Sequence, residues 1–185
     1  MKISRFGARR LIWMLVAALA LLVGLHEWFQ WRAFAVRFPV RVDGHSIDVQ
    51  VAARYLERLR GLQGRTQLGP EEGMLFVYPN EQDLEFWMRN TPLPLDLGFF
   101  DSRGALVSIS ALEPYETRKT KAPRPSRYAL EMPRGWFAKK GVAVGALLDL
   151  RSVETAMERR MLPFSSAPDP GKPEQPKLVV FGASQ

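Results

Sequence analysis

The chain of 185 residues contains no cysteine and only two histidines. The lack of cysteine excludes disulfides, thiol nucleophiles, thiolate metal sites and a lipidated N-terminal cysteine together, while leaving the compartment open. Scarce histidine argues against nucleophilic triads, which need a basic His or Lys beside Ser, Thr or Cys. His26 borders an apolar run and His45 sits at a turn, so neither is well placed for one. Any metal would need carboxylate oxygens and hence be a hard cation. The Asp101-x-x-Gly104 turn is too short for a calcium loop, and no metal or cofactor is expected. Acids are also in deficit: 19 Asp and Glu against 26 Lys and Arg give a net charge of +7. Lys2, Arg5, Arg9 and Arg10 supply four of those charges ahead of an apolar run, leaving +3 for the rest. The basic pI therefore gives little reason to expect nucleic acid.

That apolar run covers residues 11–25 (LIWMLVAALALLVGL) and follows four cations with no acid. Cations ahead of such a run are the n-region and h-region of an export signal. Ala33 and Ala35 offer a cleavage site, but Trp28, Phe29, Trp31 and Arg32 before it resemble an interfacial belt. Extending the run through residues 26–28 approaches the ~20 residues a span needs. Residues 1–35 thus read as a signal peptide or, preferably, an uncleaved signal-anchor helix holding residues 11–28 in the inner membrane. Either reading places the following domain on the periplasmic side, anchored or released.

Residues 36–153 read as one domain, mainly β, a compact barrel- or sandwich-like body with one or two short helices. Val40 and Val42 lead into Asp43-Gly44, a hairpin turn signal, and Ile47, Val49 and Val51 then alternate with polar residues. Over residues 53–60 the period changes: Leu56, Leu59 and Leu62 lie three apart, predicting a short amphipathic helix with those leucines inward. Strands are expected at 74–78, 84–88, 95–100, 105–112 and 128–132. A helical turn is expected at 136–140 and a closing strand at 146–153. Residues 154–185 read as a disordered tail, with five prolines between 163 and 177.

Several blocks within this domain are specific: ERLRGL (57–62), GMLFV (73–77), FWMRNTPLPLD (86–96), YALE (128–131) with Gly135-Trp136, and GVAVG (141–145). Their order and spacing over residues 38–150 resemble the family named domain of unknown function 192. The resemblance implies a compact β-barrel-like domain with a small helical element, in proteins often exported or anchored. It carries no activity. Gln63 stands where the family typically has Met, and Ala146 where an acid usually follows the glycine.

The central block is the candidate site. Pro92 and Pro94 lock two φ angles and push Thr91 and Leu93 to extended geometry. The stiff loop carries Arg89, Asn90, Thr91 and Asp96, with Trp87 just before it and Arg60 as a further candidate. A cation, an amide, a hydroxyl and a carboxylate on a rigid loop suit a small polar ligand, a polysaccharide or a protein partner. The bland alternative is that these groups satisfy one another and the loop backbone. Two other readings stand: a hydrolase using Asp96 and Glu131 as paired carboxylates, and a structural or assembly protein of the envelope. Arg118, Lys119, Lys121, Arg124 and Arg127 form an acid-free stretch that reads as a solvated loop or as a contact for anionic lipid or cell-wall polymer.

Overall fold

The structure is a computed structural model and describes residues 12–25 and 36–161. Residues 12–25 are helical (α1), with exposed side chains. Among the described residues no helix is long and apolar enough to cross a membrane. The expected flanking cations, aromatic belt and cleavage site lie outside the described residues, as does the proline-rich stretch after 161.

Within the domain, eight strands and three helices follow in the order β1 (Arg37–Val42), β2 (His45–Ala52), α2 (Tyr55–Arg60), β3 (Glu72–Gln82), β4 (Glu85–Phe86), β5 (Leu95–Phe100), β6 (Leu106–Leu112), β7 (Thr120–Lys121), β8 (Ser126–Pro133), α3 (Trp136–Lys140) and α4 (Leu150–Met161). Asp43 and Gly44 both take positive φ, at 49° and 80°, which matches the twist of a two-residue hairpin and explains the tight β1–β2 turn. β2 then runs parallel to β3, with α2 in the connection between them. Six strands form one sheet in the order β1-β2-β3-β8-β5-β6, and β4 pairs with β7 in a second, two-stranded sheet.

The six-stranded sheet does not close into a barrel. β1 and β6 lie at its two edges and do not pair with each other. Single bridges from Leu148 to Val42 and from Leu147 to Ala105 tie the two edges together at one end. The expected closing strand over 146–153 is therefore limited to these two bridges, and the chain turns at once into α4. The Asp149 carboxylate accepts from the Arg151 and Ser152 N–H groups, as a helix N-cap does. Val153 and Ala156 then bury one face of α4, so the folded body extends beyond residue 153.

Side chains alternate across the central strands and build two apolar clusters. One holds Ile47, Val49, Leu75, Leu130 and Met132 beneath Trp136 and Phe137 of α3 and Val153 of α4. The other holds Met74, Phe76, Leu97, Phe99 and Ala129, covered by Leu62, Leu84, Phe86 and Met88. β3 and β8 approach so closely that Gly73 has no room for a side chain: a Cβ there would lie 2.4 Å from the Glu131 carbonyl oxygen. The predicted inward orientation holds for Leu62, just after α2, and is reversed for the two leucines within it. Leu56 and Leu59 are 61% and 49% exposed, and Glu57 is the residue that turns inward.

Candidate functional site

A cavity of about 480 Å³ opens between α2, the second half of β3 and β4. Its inner wall is Phe76, Phe86 and Leu62, all buried. Glu131 of β8 also lines it. The Glu131 side chain is only 4% exposed, and its Oε2 has no hydrogen-bond partner. Burial pushes its carboxyl up to about 8, so at neutral pH it is protonated and can donate as well as accept.

Polar groups ring the opening. Arg58 donates to the carbonyls of Ala53 and Val77 and stacks on the Tyr78 ring, 4.6 Å from its centroid. Burial raises the Tyr78 hydroxyl above its ordinary range, opposed by Arg58 and reinforced by Glu131. Glu85 sits between Lys119 (2.6 Å) and Lys121 (2.8 Å), which hold its carboxyl down at about 2. The mouth is apolar as well as charged: Tyr55, Leu59 and Trp87 are 70%, 49% and 40% exposed.

Of the candidates read from sequence, Trp87, Thr91, Arg60 and Glu131 all line this cavity. Thr91 is buried, with its hydroxyl donating to the Arg89 carbonyl at 3.4 Å. Arg89 and Asn90 sit on the adjacent turn, exposed and outside the lining. Asn90 has φ 57°, and its side-chain amide donates to Gln63. Asn90 thus builds the turn.

Asp96 belongs to the other side of the sheet. In the β5–β8 register Asp96 faces Met132 and Leu97 faces Glu131, so the two carboxyls project from opposite faces. Asp96 accepts from the Gly135 N–H at 2.8 Å, at the start of α3, and lies 3.4 Å from Arg134. Burial pushes its carboxyl up, against the pull of that N–H and of Arg134. Asp96 and Glu131 therefore cannot flank one substrate, and the paired-carboxylate arrangement is corrected by the strand register. His45 packs edge-on against Trp136, away from the cavity. Among the described residues no group of three or more His, Asp or Glu is placed to hold a metal ion.

The basic stretch is tied to its own domain. Arg118 pairs with Glu116, Lys119 and Lys121 with Glu85, and Arg124 with Asp101. Arg127 donates to the Tyr78 carbonyl. Sequence reasoning missed Arg58, Tyr78 and Phe76 as cavity residues. The change from helix to strand period marked their elements, but nothing local marked which faces would meet.

The sequence matches the DUF192 family, described as “Uncharacterized ACR”, over residues 38–150, a span holding α2, the cavity and β8. The chain belongs to the DUF192 family. The DUF192 domain is 30% identical over 108 residues to the UPF0127 protein PF1050 of Pyrococcus furiosus, covering 56% of this chain and 86% of that protein. It is also similar to a solved structure from Sinorhizobium meliloti 1021 described as a proposed transcription regulator, at 32% identity and a TM-score of 0.59, covering 62% of this chain and 93% of the other. A protein of unknown function from Novosphingobium aromaticivorans is 33% identical with the same TM-score, covering 61% and 84%. These similarities place the DUF192 domain in a fold with solved relatives and assign it no ligand.

Proposed function

We propose that this DUF192 domain is a non-catalytic binding module of the cell envelope, and that its site is the cavity over Glu131. One observation carries the reading. A buried polar atom without a partner costs about 1–3 kcal/mol, and Glu131 Oε2 is such an atom, on a residue that lines an open cavity. A bound ligand would supply the missing hydrogen bond. The site thus moves from the Arg89–Asp96 loop to the ground beside it, keeping Thr91, Trp87 and Arg60.

The test is a thermal-shift screen of small polar compounds against the full-length protein in detergent. Compounds that raise Tm in the wild type should lose that effect in both Trp87→Ala and Glu131→Leu. Undiminished stabilisation in both variants would place binding elsewhere.

The N-terminal pattern supports residence outside the cytoplasm, through residues 11–28. Protease added to spheroplasts should then digest the domain, and the chain should pellet with membranes at high salt. A chain protected from protease refutes this. The description of the Sinorhizobium protein raises a role on nucleic acid for this chain. The pairing of Lys119, Lys121 and Arg124 with carboxylates of the domain itself argues against it.

A further inference from the structure

We propose that the cavity over Glu131 takes a small organic anion, a carboxylate or phosphate group on an apolar body, whose oxygen accepts the Glu131 hydroxyl. This rests on the cavity being the binding site and adds the class of ligand.

Three features of the lining converge. At the inner end, Glu131 is a protonated carboxyl with Oε2 unpartnered, and a hydroxyl facing an anionic oxygen makes a short, charge-assisted hydrogen bond. Around the opening stand Arg58 and Arg60 of α2, while Lys119 and Glu85, the one other carboxylate of the lining, pair with each other. Cations therefore outnumber anions. The two carbonyls that accept from Arg58 position its guanidinium without neutralising it. Between these polar ends lies apolar surface, with Phe76 and Phe86 inside and Tyr55, Leu59 and Trp87 at the mouth. An amine would enter against the surplus positive charge, and a neutral sugar would leave that charge unused.

Binding then depends on the proton of Glu131. The titratable and charged groups that line the cavity with it are Arg58 and Arg60 from α2, Tyr78 from β3, Glu85 from β4 and Lys119, with apolar Met74 and Leu97 beside it in register on β3 and β5. Tyr78 is raised above 10.0 and Glu85 is held at about 2, so neither of these changes charge between about pH 6 and 9. Ionised Glu131 neither donates to an anion nor tolerates one.

Calorimetric titration of the full-length protein with phenylacetate, phenyl phosphate, phenethylamine and methyl glucoside tests this across that pH range. Phenylacetate or phenyl phosphate should bind in the millimolar range or tighter, and the other two should not. The preferred anion identifies the headgroup. Its affinity should fall about tenfold per pH unit above the Glu131 transition. Glu131→Gln keeps an N–H donor and cannot ionise, so its binding should persist without that pH dependence. The wild-type series needs no variant and stands if Glu131→Gln folds poorly. Binding of the amine or glucoside instead, or affinity that rises with pH, overturns the anion assignment and leaves the cavity as a site. Silence from all four compounds overturns both.

Discussion

The Arg160 guanidinium of α4 bonds the carboxylate of Glu57 on α2, across 103 residues of sequence, with 10% and 9% of the two side chains exposed. Glu57 also accepts from the N–H groups of Ala53 and Arg54, fastening the start of α2. The end of the described chain thus holds the helix that walls the cavity. Removing one partner of a buried pair leaves the other charge stranded. Arg160→Ala should therefore cost about 3 kcal/mol, read as a lower urea midpoint. Ending the chain at residue 153 should cost at least as much.

Glu131 makes stability depend on pH. Its ordinary value is 4.5 and burial raises it to about 8 in the folded protein. Between those values the folded state holds a proton that the unfolded state has released. Stability is thus greatest at and below the lower value, falls as pH rises through the window, and levels off above about 8, by roughly 1.4 kcal/mol per pH unit inside it. Urea unfolding across pH should show this slope in the wild type and a flatter one in Glu131→Gln. Parallel curves would mean that the carboxyl is not buried in solution.

Asp96 should behave as scaffold. Asp96→Ala removes the acceptor for the Gly135 N–H and the partner of Arg134. The expected cost is about 2 kcal/mol, seen as a lower urea midpoint. Ligand affinity at the cavity should stay within about twofold of wild type, since distant sites are usually independent. A large loss of affinity with unchanged stability would return Asp96 to the site.

Asn90 carries a positive φ of 57°. Asn90→Gly should be close to neutral, because glycine adopts that backbone freely. Asn90→Ala should cost about 1 kcal/mol, since a Cβ without a compensating local hydrogen bond is strained there. Equal stability of the two variants, measured by chemical denaturation, would remove the backbone explanation.

What was legible in the sequence was local. Asp43-Gly44 announced its hairpin through turn chemistry, and the alternation of Leu84, Phe86 and Met88 gave their burial correctly, although only Glu85–Phe86 pairs as a strand. Gly141, with φ 70°, ends α3 where expected. The failures needed partners far along the chain. Leu56 and Leu59 looked like a core-facing stripe, but Glu57 faces inward because Arg160 waits there. α4 was missed although Asp149 and the Val153, Ala156, Met157 spacing signalled it, because the preceding apolar residues read as a strand. The candidate site was half legible. Trp87, Thr91, Arg60 and Glu131 do meet, whereas the separation of Asp96 from Glu131 depends on strand register, which composition does not reveal.

β8 lies between β3 and β5, with hydrogen-bonded neighbours on both sides. Amide hydrogens there should exchange only when the whole domain opens, whereas the two-residue β4–β7 pair can open alone. The cavity thus joins a central strand of the large sheet to a short pair outside it. Its proton-bearing floor keeps its position while the walls breathe, so a guest can enter and leave without the domain melting.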